Sequence, residues 1–306
     1  MAASSEAVGL LPLLYFQTPR SFGGEIHLGN DLLIRKITSS EIERIQESRG
    51  TKDWPLDEDD RKEINFTLEK KIRMKMPASV LAIDRAAGVS LSKVWQETLQ
   101  QLINCVLAMR LFKQGAVGYK AAFLLVEGQP YAGAPYITHD FKVEPRHPSI
   151  WPIFQALRSE EPAFARLTLN EKELKEYASF HKQISESKRR KEKWPIFIHY
   201  FSRMYEDRSD EEVLIDCMIS FEALAFKGEK GPREKGTPLA LAISMLIGNN
   251  AKEREKIKAT IKEAYNLRNN IVHGKHFPES KPEIIRLCWE TEDYLRRSIK
   301  KLLIEG

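Results

Sequence analysis

Tyr265-Asn266-Leu267-Arg268-Asn269-Asn270-Ile271-Val272-His273-Gly274 decides how the second half of the chain is read. The apolar positions that lead into it and run through it, Ile261, Ala264, Tyr265, Leu267, Ile271 and Val272, recur at helical spacing. Gly274 is the residue type expected just past a helix C-terminus, where the backbone turns left-handed. The stretch therefore predicts the last turns of a helix over 252–273, with His273 in the final turn or at its boundary. Arg268, a permanent cation, and His273, a titratable imidazole, stand five residues apart. In an ideal helix that spacing points them about 140° away from each other, whereas Asn269 and His273 share a face. Either the helix end unwinds to bring the pair together, or the pair is completed from elsewhere.

The same period extends outward. After Pro148 the chain reads as almost wholly helical, with helices expected over 149–158, 170–187, 194–206, 210–226, 236–248, 252–273 and 282–303. Short connections such as Asp207 to Asp210 favour antiparallel neighbours, so the last five helices predict an up-and-down bundle. The Lys- and Arg-rich segment Ser185 to Lys193 reads as an exposed helix end or a linker.

The first half mixes element types. Gly24 to Leu28 and Asp31 to Ile37, separated by Gly29-Asn30, predict a hairpin. Ser39 or Ser40 caps a short helix through Ser48, with Glu41 and Glu43 in its first turn. The charged stretch Asp53 to Lys75, bounded by Trp54-Pro55 and Met76-Pro77, reads as a solvated connection. Ser90 to Lys113 keeps a helical period through Leu91, Val94, Trp95, Leu99, Leu102, Val106 and Leu111 and stops near Gly115, a central helix for this half. Lys120 to Glu127 and Ala134 to Phe141 read as strands around Gly128, Pro130 and Gly133. The fold class is thus an α+β N-terminal domain over 1–148, a helical connection over 149–193 and an all-α bundle over 194–306, mainly α overall.

At 306 residues, 42% of them apolar, the chain can bury two cores, and nothing in its composition resembles a disordered chain. A net charge of +5 permits an anionic partner without requiring one. Cys105, Cys217 and Cys288 are far apart and sit in apolar helical patterns, which fits neither a disulfide framework nor metal-ligand spacing. A reducing cytoplasm is expected. The apolar run Val8 to Phe16 is interrupted by Pro12 and too short to span a bilayer, so it reads as a packed or flexible arm, with no membrane partner.

Three segments carry a family resemblance: Val213-Leu214-Ile215-Asp216-Cys217-Met218-Ile219-Ser220-Phe221-Glu222-Ala223-Leu224, the Tyr265–Gly274 block, and the closing amphipathic helix. Over residues 194–306 the chain resembles the HEPN superfamily, and within it the Apea-like group. Ile26-His27-Leu28-Gly29-Asn30-Asp31 and Leu107 through Gly115 are similar to the region found beside such bundles in Apea-like proteins. The family motif is an Arg, a polar residue, three further positions and a His, which Arg268, Asn269 and His273 fill. The resemblance implies a metal-independent endoribonuclease with RNA as partner, no cofactor and no metal, assembled as a homodimer so that two motifs face one another. It implies a toxin or antiviral defence role. The role of the first domain is not supplied by the resemblance; a sensory or regulatory one is expected, with a regulatory or antitoxin partner, because an unrestrained ribonuclease would damage its own cell. The family also holds inactive members that serve as scaffolds or as partners of nucleotidyltransferases.

In such an enzyme the RNA supplies the nucleophile, its own 2′-hydroxyl. His273 would move protons, because both forms of an imidazole are available near neutrality. Arg268 offers a planar fork of donors to the phosphate oxygens. Asn269, one turn before His273, would orient the imidazole or bond the phosphate. Equally, His273 before Gly274 reads as a helix-end residue near the last carbonyls, and Arg268 as a solvated cation. Glu222 lies in an apolar helix where an unpaired carboxylate is costly, so it reads as a structural salt bridge to Arg268 or another cation, or else as a supporting catalytic residue. His276 has the loop context of a substrate contact or of a plain surface residue. His199, among Ile198, Tyr200 and Phe201, reads as a half-buried packing residue. The basic clusters Lys188-Arg189-Arg190-Lys191 and Arg296-Arg297 with Lys300-Lys301 are RNA-binding candidates if they flank the motif, and solvated faces otherwise. Gly228, Gly231 and Gly236 read as a flexible turn rather than a phosphate cradle.

Overall fold

The computed structural model describes residues 6–13, 16–19, 22–47, 64–73, 88–119, 122–126, 129–130, 167–187, 196–205, 209–226, 235–274 and 281–305. The chain divides into two compact units, Met1–His147 with Pro162–Lys182, and Pro148–Glu161 with Gln183–Gly306. Among the described residues it is mainly helical with a small antiparallel sheet. The stretch 162–182, expected within the helical connection, belongs with the first unit. The expected strand 134–141 and helix 149–158 lie outside the described residues.

In the first unit β1 (Glu6–Leu13) is a central strand, paired antiparallel with β5 (Phe66–Arg73) on one side and β6 (Phe123–Val126) on the other. The sheet continues outward through β4 (Leu32–Lys36) and β3 (Ile26–Gly29) at one edge and β7 (Gln129–Pro130) at the other. The apolar run expected to be an arm supplies this central strand from Val8 to Leu13. Leu10, Leu11 and Leu13 are fully buried, and a strand covered on both faces shows no alternation to read. Pro12 is tolerated because the β6 ladder ends at Leu10, leaving β5 as the only strand paired with Pro12 among the described residues.

The expected solvated connection likewise contains β5. Its Glu69 is buried because Arg35 Nε on β4 reaches its Oε2 at 2.5 Å, while the same guanidinium holds Glu41 at 2.5 Å. Glu41 belongs to α1 (Ser39–Glu47), whose cap is Thr38 rather than Ser39 or Ser40. The Glu41 N–H donates to Thr38 Oγ1 at 3.2 Å and the Thr38 N–H donates to Glu41 at 2.9 Å, a reciprocal capping box. Burial alone would raise the Glu41 carboxyl, but Arg35 and the Thr38 donors outweigh it and hold the carboxyl at about 2. The β3–β4 hairpin forms as expected, with its turn one residue later than read: Asn30 and Asp31 take φ of 52° and 58°, the pair of positive values that a two-residue turn needs.

The long helix α2 (Gly88–Phe112) packs on β1 at Gly9, where a Cβ would come within 2.8 Å of Thr98 Cγ2 and 3.1 Å of the Trp95 ring. The short strands β2 (Phe16–Gln17) and β8 (Leu167–Thr168) pair in parallel, and α3 (Glu171–Glu186) follows. The Tyr177 hydroxyl donates to the Cys105 carbonyl at 2.9 Å, and Lys113 pairs with Glu173 at 2.7 Å, so α2 and α3 are held together.

The second unit contains α4 (Ile196–Arg203), α5 (Asp210–Phe226), α6 (Gly236–Ile247), α7 (Ala251–Val272) and α8 (Lys281–Glu305). Named contacts fix their directions. Ser220 near the end of α5 donates to the Phe197 carbonyl at the start of α4, at 3.0 Å. Gly236 at the start of α6 abuts Tyr265 near the end of α7. Arg286 early in α8 pairs with Glu263 late in α7 at 2.8 Å, while Arg297 late in α8 pairs with Glu253 early in α7 at 2.6 Å. The five helices therefore run up and down, as expected. Their apolar stripes meet in a core that includes Phe221, Leu239, Ile261, Leu267, Leu287 and Leu295. All three cysteines are buried and none is in a disulfide, and no helix among the described residues is long and apolar enough to cross a membrane.

Candidate functional site

Up-and-down winding brings the ends of α5 and α7 and the beginnings of α4, α6 and α8 to one pole of the bundle. The motif sits there because α7 stops there. Helical hydrogen bonding continues to the last residue: the His273 N–H donates to the Asn269 carbonyl at 3.0 Å and the Gly274 N–H to Ile271 at 3.0 Å. His273 itself has φ −89° and ψ 6°, and Gly274 turns the chain left-handed with φ 61°. Of the two ways to bring Arg268 and His273 together, an unwound helix end is therefore not the one adopted. Within one chain the cation and the imidazole remain on different sides of α7.

His273 is exposed, and among the described residues its side chain takes no hydrogen bond or ion pair. Arg268 is half-buried. Its Nη1 donates to the Asn269 Oδ1 at 3.0 Å, and its Nε is buried with no acceptor. Asn269 thus steadies the guanidinium with its carbonyl oxygen and keeps its amide N–H donors for another partner. No carboxylate neutralises Arg268 among the described residues.

Glu222 is held by a different cation. Lys235, just before α6, reaches its Oε2 at 2.6 Å, so the carboxylate closes the α5–α6 corner and not the motif. Gly236 is no flexible turn: it starts α6, and a Cβ there would come within 2.9 Å of the Tyr265 ring, one turn before Arg268. Tyr265, Gly236 and Lys235 thus set the wall beside the motif. The only advance signal was a glycine immediately followed by Thr237-Pro238, a helix-start pattern. Gly228 and Gly231 lie outside the described residues.

Arg297 does not flank the motif. It binds Glu253 at 2.6 Å and the Ile247 carbonyl at 2.9 Å, and Glu253 stands roughly 30 Å of helix from His273 at about 1.5 Å per residue. Arg296 is paired with Asp293 beside it. Arg297 clamps the opposite pole. His199 is exposed rather than half-buried, its ring meeting Tyr200 edge-on at 5.4 Å, because it falls on the outer side of a short helix whose inner side is Ile198 and Phe201. His276 and the run Lys188-Arg189-Arg190-Lys191 lie outside the described residues. Among the described residues no group of three His, Cys, Asp or Glu side chains is placed to hold a metal ion.

Comparison of the chain with protein-family models, with curated proteins and with solved structures finds no match.

Proposed function

We propose that the chain is a metal-independent endoribonuclease of HEPN type that works as a homodimer. The observation that carries this reading is the intact α7 terminus, which presents an exposed His273 and a half-buried Arg268 at one pole, neither with an ion-pair partner among the described residues, while directing them to different sides. Two such poles meeting across a two-fold axis supply what one cannot, an imidazole on each side of a phosphate with cations around it. The 2′-oxygen attacks phosphorus, the bond to the 5′-oxygen breaks, and the products are a 2′,3′-cyclic phosphate and a 5′-hydroxyl. One His273 takes the 2′-hydroxyl proton, and the protonated His273 of the second copy delivers a proton to the leaving oxygen. Arg268 binds the non-bridging oxygens as their charge grows. The beginnings of α4, α6 and α8 at the same pole add partial positive charge toward an anion. In this reading the first unit restrains or triggers the nuclease, as a toxin or defence effector requires.

A second reading is a non-enzymatic docking module. It is favoured by exposed apolar side chains, Leu241 and Met245 on α6 and Val272 beside the motif, each more than half exposed. The two readings part on one assay. Incubation of purified protein with RNA in excess chelator, followed by analysis of the ends, should give cyclic phosphate and 5′-hydroxyl termini; intact RNA under all conditions would leave the docking module.

A further inference from the structure

The surface of α7 changes character along its length. Its earlier turns are tied down by ion pairs to α8, Lys256 to Glu290 at 3.2 Å and Glu263 to Arg286 at 2.8 Å. Lys262, Asn266 and Asn270 then form one i, i+4 ridge that runs up to His273. Lys262 and Asn266 are exposed and Asn270 half-exposed, and among the described residues none of the three side chains makes a hydrogen bond or ion pair. Asparagine is a weak helix former, so two such amides in the last turns of a helix cost it stability without returning a hydrogen bond among the described residues. A solvated surface of equal solubility would be made better from Glu, Lys or Gln.

We infer that this ridge is the track along which single-stranded RNA approaches His273, with Lys262 on a backbone phosphate and the Asn266 and Asn270 amides selecting adenine. The inference rests on the RNA reading above and adds a substrate preference to it. A carboxamide sets a donor beside an acceptor, and adenine answers with its amino group beside a ring nitrogen on both its Watson–Crick and its Hoogsteen edge. Guanine offers two acceptors on its Hoogsteen edge, so guanine, like the pyrimidines, matches a carboxamide only on its Watson–Crick edge, where adenine matches on both. A duplex hides these groups in a groove too deep for side chains, so the ridge requires unpaired RNA. Lys262, two turns from Asn269 on the same side, contributes charge without sequence information.

The test is fluorescence-anisotropy titration of labelled adenine, uridine and cytidine 12-mers, in the His273→Ala background so that cleavage cannot intervene. The parent should bind the adenine oligomer about tenfold more tightly than the others, within the discrimination a good amide–base pair gives. Asn266→Ala with Asn270→Ala should bring the three within about twofold while leaving uridine binding unchanged. Lys262→Ala should weaken all three alike and lower the salt slope by about one. Equal binding of the three by the parent, retention of the preference in the double variant, or no binding at all would overturn the inference. Wild-type protein that cleaves nothing yet shows this asparagine-dependent preference would overturn the nuclease reading alone.

Discussion

The α6–α7 turn offers the sharpest structural prediction, Gly248→Ala. Gly248 has φ −82° and ψ 122°, values any residue adopts, so backbone strain is not the issue. Space is. A Cβ there would meet Arg254 Cγ, lie 2.6 Å from the Ser244 carbonyl oxygen and 3.2 Å from Arg254 Cα. Two of those atoms are backbone, and both are held: the Gly248 N–H donates to that same Ser244 oxygen at 2.9 Å, and Arg254 Nε donates to the Gly248 carbonyl at 3.0 Å. Asn250 and Glu253 lock the next turn, the Asn250 side chain accepting the Glu253 N–H at 2.9 Å. Overpacking a rigid site costs about 1–3 kcal/mol, and the backbone clash places this site at the upper end. Replacing glycine where φ permits returns about 0.4–1 kcal/mol through the unfolded chain. The net is a loss of about 2 kcal/mol, a fall in Tm of roughly 4–8 °C at about 2–4 °C per kcal/mol. Thermal unfolding followed by helical ellipticity reads it, and a Tm equal to or above that of the wild type would refute the packing argument. Because the turn lies at the pole opposite His273, RNA cleavage measured at 25 °C should survive.

Other perturbations separate architecture from chemistry. Gly274→Ala places a Cβ in open space but at φ 61°, so it should cost about 1 kcal/mol through backbone strain alone, visible as a small Tm decrease. The Glu41 carboxyl sits near 2 in the folded protein against 4.5 ordinarily, so its ion pair with Arg35 contributes fully above pH 4.5 and is lost as pH falls toward 2. After solvent screening that amounts to about 1 kcal/mol, and Glu41→Gln should flatten the acid limb of a stability–pH curve. Arg297→Ala should lower Tm while leaving RNA affinity unchanged, since its guanidinium is taken up by Glu253 and the Ile247 carbonyl; an affinity loss would return it to the RNA surface.

Legibility in the sequence followed solvent exposure. The helices over 210–226 and 252–273 show one wet and one dry side, or cap signals at their ends, and the structure returns them nearly residue for residue. β1 was missed because both its faces are buried: continuous apolar residues carry no period, and Pro12 argued against a strand until the short β6 ladder explained it. β5 was missed for the opposite reason. Glu69, Lys70 and Lys71 looked solvated, and only the neighbouring strand's Arg35 reveals why a carboxylate is buried there. At the site, the linear motif and its helix end were readable, as was the angular mismatch between Arg268 and His273. The partner of Glu222 was not, because Lys235 approaches through the α5–α6 corner, a tertiary contact that no local pattern encodes.

The central claim is that the α7 terminus cleaves RNA with its own side chains. The direct measurement compares purified wild type, Arg268→Ala and His273→Ala on RNA in excess chelator, with melting curves taken on the same preparations. His273 is exposed and Arg268 has no ion-pair partner among the described residues, so neither change should disturb the fold. The account predicts cleavage by the wild type and at least a hundredfold loss in each variant, about the scale on which a general acid–base group or an electrostatic donor to the transition state contributes. Undiminished cleavage by His273→Ala at an unchanged Tm would contradict it.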